Sequence, residues 1–463
     1  MGTKLTFIHS GDLHLGAPFR GLRALSPAWA NRLSRAIPEA YDCVVKACED
    51  NHVDFLLLAG DIFDTDKPSY AHLRHFIRGL EHLEAADIPV YMIAGNHDPY
   101  ANWRDILPLL PSNVHMFSSD TPEFVLYRAS DNTPLCLLAA RGFSNQASDG
   151  SIADGMTRTA AQRATGADAP FAVGMLHSGL WMDPFKSPVS EAKLLAADMD
   201  YWALGHIHKR YATPKDNPRI AFCGCIQGRD IKETGARGCY KVTLEEGMPN
   251  RLEGIPTAQV EWEQLHIDVS TCTGIEDIRA ACVRAMFRAN EEACCEEMIV
   301  RVTLNGVTPL YDVLARPETM EEMRTELNES YPTFFCDALI NATTAPFDKE
   351  ALAAGGLFPA VLLRCAHELS EANQNKSENA IGNKDGIDVI NNNPYAPVDR
   401  PTPPAEFAAL LKKPAKDDIR LRYLQEEFAR RGLTVPDVVE RSLDGLTESA
   451  CDMTLALLDG RNA

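Results

Sequence analysis

The stretch LTFIHSGDLHLGAPF, residues 5–19, runs from apolar strand-like sequence through Gly11 directly into Asp12 and His14. An apolar run bounded by glycine predicts a buried strand whose carboxyl end opens into a loop. The same grammar recurs four times. VDFLLLAGD (residues 53–61) ends in Asp61, and VYMIAGNHD (90–98) ends in Asn96, His97 and Asp98. FAVGMLH (171–177) ends in His177, and YWALGHIH (201–208) ends in His206 and His208. Loops at the carboxyl ends of strands are where an α/β fold assembles its sites. One histidine at one strand end reads as a core residue. Five strand ends carrying Asp, Asn and His together predict a dinuclear metal centre.

Working outward, Ser26 to Asp50 and Ser69 to Ala86 read as helices between the first three strands. Ser26 precedes Pro27 as an N-cap with proline at the first helical position, and Ser69 follows Pro68 as the second cap. Further strands, LCLLAA (135–140), RIAFCG (219–224) and GCYKVTL (238–244), extend an α/β domain over residues 1–255, with one large sheet or two packed sheets flanked by helices. Residues 145–169, rich in small and polar side chains, read as an exposed loop or short helix. Pro249 to Pro256 reads as a boundary.

Beyond it, Ile275, Ile278, Cys282, Val283, Met286 and Phe287 share one face of a helix spanning Ile275 to Asn290. The strands MIVRVTL (298–304) and TFFCDALI (333–340) complete a small α+β capping domain over 256–345. A helical extension (346–370) leads to an Asn-, Pro- and charge-rich linker (371–404). A helical C-terminal segment (405–463) places Leu421, Leu424 and Phe428 on one face.

Bulk properties narrow the class. At ~150 residues per domain, 463 residues suggest two or three domains, and 45% hydrophobic residues is ordinary for a soluble chain. No apolar run reaches the ~18 residues of a membrane span, and strand-like sequence from Leu5 leaves no room for a signal peptide. The 13 cysteines have no regular spacing, and Cys223 with Cys225, or Cys294 with Cys295, are too close for a zinc half-site. They read as reduced thiols of a cytoplasmic protein.

A net charge of −20 speaks against a generic nucleic-acid binder. It leaves room for a nuclease, because a local basic patch and bound cations can reverse the field at the site. Arg20, Arg23, Lys67, Arg104, Lys209, Arg210, Arg229 and Lys232 lie beside the motifs. Each alone reads as a solvated surface charge. Their shared proximity makes Arg20, Lys67 and Arg229 candidates for substrate contact.

Ligand type indicates the chemistry. Asp, Asn and His without Cys suit Mn²⁺, Fe or Zn better than a thiolate zinc site. Asp61 can bridge two cations, and cations ~3.5–4 Å apart clamp a phosphoryl group and activate a hydroxide as nucleophile. Asn96 adds coordination without adding negative charge. His97 is placed to donate a proton to the leaving oxygen, with Asp98 as its orienting partner. His9 reads as structural. His72, His75 and His82 share a helix and read as solvated or packing residues.

The motif order D-x-H, G-D, G-N-H-[DE], H and G-H-x-H resembles that of the calcineurin-like metallophosphoesterases. Within that family, FIHSGDLHLGAPF, AGDIFDTDKPS and IAGNHDPY resemble the SbcD-type DNA repair nucleases, and CGCIQGRDIKETGARGCYKV (223–242) resembles their YhaO-like exonuclease branch. The resemblance is strong to about residue 250, weaker over the next hundred residues, and gone after about 370. It implies a two-sheet sandwich flanked by helices. One Mn²⁺ would be held by Asp12, His14, Asp61 and His208, and a second by Asp61, Asn96, His177 and His206, with His97 as the catalytic histidine.

The resemblance also implies DNA as substrate, cut by 3′-to-5′ exonuclease and single-strand endonuclease action. It implies a homodimer formed through the phosphoesterase domain, and an SMC-like coiled-coil ATPase partner docked on the C-terminal helical segment. One departure is Asp64, where archaeal and eukaryotic members often carry a second active-site histidine. Two alternatives stand beside the nuclease. A small-molecule or phosphoprotein phosphoesterase on the same site is favoured by the negative charge. A non-catalytic role in assembly is disfavoured by the complete ligand set.

Overall fold

The computed structural model describes residues 2–19, 22, 26–65, 67–143, 151–183 and 187–346. β1 (Lys4–Ser10), β2 (Phe55–Leu58), β3 (Val90–Met92) and β4 (Val114–Met116) pair in parallel. Parallel neighbours need crossover connections, and α1 (Pro27–Asp50) and α2 (Tyr70–Ala85) supply the first two. Both helices start at the expected serine caps. Ser26 accepts from the Trp29 N–H at 3.4 Å, and Ser69 accepts from the His72 N–H at 3.2 Å.

A second sheet contains β5 (Glu123–Arg128), β6 (Pro134–Arg141), β7 (Phe171–His177), β8 (Tyr201–Gly205), β9 (Tyr211–Thr213) and β10 (Ile220–Phe222). Its order is β5-β6-β7-β8-β10-β9, parallel through the middle with an antiparallel strand at each edge. The chain then returns to the first sheet as β11 (Gly238–Glu245) and β12 (Arg251–Pro256), giving the order β12-β11-β1-β2-β3-β4.

Alternation along each strand sorts side chains into layers. Phe7, Phe55, Phe117, Phe171, Met175, Tyr201 and Val242 fill the space between the sheets. On the opposite face of the first sheet, Ile8, Leu56 and Leu58 pack on Tyr41, Val44, Phe76 and Leu80 of α1 and α2. The outer face of the second sheet is covered through Ala161 of α3 (Arg158–Thr165) and Leu194 of α4 (Glu191–Ala196). The fold is thus the two-sheet α/β sandwich expected from the sequence.

Of the two expectations for residues 145–169, the short helix is found, as α3 (Arg158–Thr165). The described residues before it are not an exposed loop, because Ile152, Ala153 and Met156 are buried in the core over the second sheet. The stretch from Pro249 to Pro256, expected as a boundary, includes a strand. β12 pairs with β11 as far as Pro256, and an edge strand tolerates a terminal proline because no sheet partner needs its missing N–H.

A three-stranded sheet follows, ordered β13 (Val260–Asp268), β14 (Glu297–Val307) and β15 (Phe334–Thr344). It carries α5 (Ile275–Glu292), the short α6 (Tyr311–Leu314) and α7 (Pro317–Ser330). The apolar stripe of α5 buries Ile278, Cys282 and Met286, while Phe287 remains exposed with its ring against Tyr331 and Phe334.

Met1–Asn305 and Val313–Ala342 form one compact unit. Within it, Leu33 of α1 shares a core with Trp262, Ile299 and Phe335 of the small sheet. Among the described residues of the other unit, Gly306–Asp312 and 343–346, the Thr308 N–H donates to the Thr344 carbonyl at 3.0 Å. The expected segments 346–370 (all but its first residue), 371–404 and 405–463 lie outside the described residues, as do Arg20 and Arg23. Among the described residues no helix is long and apolar enough to cross a membrane, and the cysteines are free.

Candidate metal centre

The five motif segments follow β1, β2 and β3 of the first sheet and β7 and β8 of the second, so the carboxyl ends of both sheets meet at one place. The chain turns sharply there. Asp12, His14 and Asp61 have φ near 50° and His206 has φ of 100°, left-handed conformations that cost non-glycine residues about 1–3 kcal/mol each. Neighbouring loops hold these turns. The Asp12 N–H donates to the Gly60 carbonyl at 3.0 Å, and the His14 N–H to that of Asp61 at 3.0 Å. The His206 N–H donates to both oxygens of the Asp12 carboxylate, at 3.0 and 3.1 Å. Gly95 allows the third loop to approach, since a Cβ there would fall 2.1 Å from Oδ1 of Asp61.

These turns bring the donor atoms into two adjoining groups, Asp12 with His14 and His208, and Asp61 with His177 and His206. Asp61 stands between them. Its Oδ2 is 3.7 Å from Nε2 of His14 and 3.4 Å from Nε2 of His177, while Oδ1 accepts the His97 N–H at 2.9 Å. Asn96 joins the second group, its Oδ1 lying 3.0 Å from Nε2 of His177 and 2.8 Å from Nδ1 of His206.

The donor chemistry fits divalent cations. Nε2 of His14 and Nε2 of His208 face each other at 3.0 Å. The outer nitrogens of the same rings point at carboxylates, Nδ1 of His14 at Asp64 (3.0 Å) and Nδ1 of His208 at Glu233 (2.5 Å). Nδ1 of His208 also lies 3.1 Å from Nη2 of Arg229. Carboxylates behind histidine rings are the arrangement used to orient histidine ligands, and two ring nitrogens facing each other at 3.0 Å are placed to share a cation. His177 shows the same demand for positive charge. Burial opposes its protonation, yet the Asp61 carboxylate beside it pushes its pKa up to about 9. Burial raises the pKa of Asp61, but His177 and His14 overcome it and hold the group well below the usual carboxylate range.

The centre forms the floor of a cleft of about 630 Å³ lined by Asp61, His97, His206 and His208 and walled by Lys209, Arg210, Lys232 and Arg237. Lys209 and Lys232 are exposed. Arg237 donates to the His208 carbonyl at 2.6 Å, and Arg210 lies over the Tyr240 ring at 5.4 Å.

The other site expectations fare unequally. His97 lines the cleft with its ring half exposed, and its Nδ1 lies 3.2 Å from the Asp64 carbonyl. Asp98 does not orient that ring. Its carboxylate is buried and accepts the N–H groups of Ile62 (2.8 Å), Phe63 (3.2 Å) and Gly95 (2.9 Å), so it fixes the loops instead. Burial and the Asp61 charge raise its pKa. Asp64 is the acid beside His97.

Arg229 is not among the residues lining the cleft. Its guanidinium is engaged by Asp64 at 3.0 Å and Glu233 at 3.6 Å. Lys67 is exposed and is not among the residues lining the cleft. Two residues escaped the sequence reading: Glu233, and Asp183, whose Oδ2 lies 3.0 Å from Nε2 of His206. Asp183 lies six residues beyond His177 and Glu233 within the stretch 223–242, outside the five strand-end motifs.

Comparison with known proteins gives a consistent result. A profile of the calcineurin-like phosphoesterase family matches residues 5–210, and one of the middle domain of metallophosphoesterase YhaO matches residues 262–344. The uncharacterized metallophosphoesterase YhaO of Bacillus subtilis (strain 168) is 34% identical over 340 residues, which cover 71% of this chain and 78% of that one. The DNA double-strand break repair protein Mre11 of Thermoplasma acidophilum is 25% identical over 272 residues, 56% of this chain and 65% of its own. A component of the SbcCD nuclease of Bacillus subtilis is 23% identical over 272 residues, 53% of this chain and 67% of its own.

Proposed function

This chain belongs to the calcineurin-like metallophosphoesterases, in their YhaO-like branch, and from that premise we propose that the phosphoester it hydrolyses is the backbone of DNA. The observation that carries the reading is the pair of ligand groups joined by Asp61 at the floor of a cleft with a cationic wall, in a chain whose net charge is −20. A local basic wall on an acidic protein suits a phosphate-bearing substrate at that place. Relatives named as a nuclease component and as a DNA repair protein extend the reading to DNA.

In this reading Asp12, His14, Asp61 and His208 hold one cation, and Asp61, Asn96, His177 and His206 hold the other. When bound, a pair of such cations, Mn²⁺ by ligand type, activates water for attack and neutralises charge on the phosphate. Asp61, whose carboxylate stands between the two groups, would serve both sets. Asn96 keeps a neutral oxygen where an anionic substrate must approach. His97, anchored through Nδ1 by the Asp64 carbonyl, gives the proton on Nε2 to the departing oxygen. Lys209 and Lys232 meet flanking phosphates. Action as a 3′-to-5′ exonuclease and single-strand endonuclease, a homodimer, and a coiled-coil ATPase partner belong to the same proposal.

The acidic balance of the whole chain favours a second reading, a phosphoesterase for small substrates on the same centre. One assay separates the two. The purified full chain with Mn²⁺ is incubated with end-labelled duplex and single-stranded DNA, and separately with bis-p-nitrophenyl phosphate. The nuclease reading expects turnover of both classes. Turnover of the small ester with all DNA left intact, also in the presence of the ATPase partner, sinks it.

A further inference from the structure

Three charged side chains outside both ligand sets form a chain of contacts of their own. Asp64 faces Nδ1 of His14 at 3.0 Å and Arg229 at 3.0 Å. Arg229 reaches on to Glu233 at 3.6 Å and to Nδ1 of His208 at 3.1 Å, and Glu233 faces that same Nδ1 at 2.5 Å. One guanidinium therefore ties together the two carboxylates that aim His14 and His208.

The other histidines are aimed differently. Nδ1 of His177 is fixed by the Ala59 carbonyl at 2.9 Å and Nε2 of His206 by Asp183 at 3.0 Å, and neither contact involves Arg229.

The loop carrying Arg229 and Glu233 is itself braced by β13. The side chain of Gln227 donates to the Val260 carbonyl at 2.7 Å and accepts the Gln259 N–H at 2.8 Å. Trp262 donates through Nε1 to the Gly228 carbonyl at 3.0 Å, and Gln264 donates to that of Ile231 at 2.9 Å. The small sheet therefore holds the loop that holds one half of the centre.

We infer that Asp64, Arg229 and Glu233 act as a single positioning unit for the cation held by Asp12, His14, Asp61 and His208, and that breaking the unit releases this cation while leaving its neighbour bound. The inference rests on the ligand sets proposed above. Without Arg229 the two carboxylates repel each other, and Nε2 of His14 and Nε2 of His208 no longer converge. Lysine does not substitute, because one ammonium cannot bridge two carboxylates as a guanidinium does.

The test is calorimetric titration of the metal-free full chain with Mn²⁺, joined to electron paramagnetic resonance at one and two equivalents. Wild type is expected to bind two ions and give the signal of a spin-coupled pair. Arg229→Met and Glu233→Gln, two variants so that a folding failure in one leaves the other, are expected to weaken one ion by about 10–100-fold and give an isolated-ion signal. Arg229→Lys behaves as Arg229→Met does. Asp183→Asn weakens the other ion, and the double variant Arg229→Met/Asp183→Asn weakens both. Folded variants that keep both affinities, or lose both ions together, overturn the inference alone. A wild type that binds fewer than two ions overturns the ligand sets and the inference with them.

Discussion

His97 and His9 put one imidazole to opposite uses. His97 is half exposed in the cleft, so its proton can be exchanged with substrate and solvent. Replacing it with alanine should keep both cations while cleavage falls by about 10²-fold or more, the usual worth of a general acid; metal analysis beside the rate checks this, and loss of the cations would mean that His97 is a ligand. His9 is sealed against the Tyr201 hydroxyl at 2.9 Å, and burial pushes its pKa down from 6.5 to about 3. Its protonation therefore favours the unfolded chain. The stability tied to neutral His9 is complete above pH 6.5 and is lost as pH falls from there toward about 3. In that window the stability of wild type should fall more steeply than that of His9→Gln, by about 1.4 kcal/mol per pH unit; parallel curves in denaturant titrations would contradict it. At this scale the sequence identified side chains but not their directions. Asp98 adjoins His97 in the chain, yet its carboxylate turns into the backbone of Ile62, Phe63 and Gly95. Arg229 adjoins a motif, yet it turns onto Asp64 and Glu233.

Strands and helices were the most legible level, because their signals are local. Ser26 and Ser69 cap the helices they were expected to cap. β1 ends just before Gly11, β7 at His177 and β8 at Gly205. β2 and β3 end at Leu58 and Met92, with one and two residues between them and the glycines that lead into Asp61 and Asn96. The sheet to which each strand belongs was not legible, since an apolar run carries no record of its partners. β12 and the buried residues Ile152 and Met156 were missed for a related reason. Their sequences are polar or rich in small residues, and they are held in place by long-range packing. The spacing of the loops depends on Gly95. In Gly95→Ala the new methyl would meet Asp61 at both Oδ1 and the backbone nitrogen (2.3 Å). Overpacking of this kind costs typically about 1–3 kcal/mol. The variant should melt earlier and bind Mn²⁺ more weakly, as calorimetry would report, and wild-type values for both would show that the loops do not need this close approach.

Over the whole molecule, two sheets that point their parallel strands the same way bring residues from 12 to 208 to one place. The charge is divided as well. The chain carries −20 overall, while Lys209, Arg210, Lys232 and Arg237 wall the cleft. If phosphates meet that wall, affinity for a short duplex should fall by about tenfold or more between 50 and 200 mM salt; a flat response in fluorescence anisotropy would count against DNA. The proposed chemistry depends most directly on two cations sharing Asp61. Anomalous diffraction from crystals of the full chain soaked in Mn²⁺ reads this without reference to activity. The expected result is two peaks about 3.5–4 Å apart, one among Asp12, His14 and His208, the other among Asn96, His177 and His206, with Asp61 between them. A single peak, or peaks elsewhere such as among His208, Cys225 and Glu233, would contradict it.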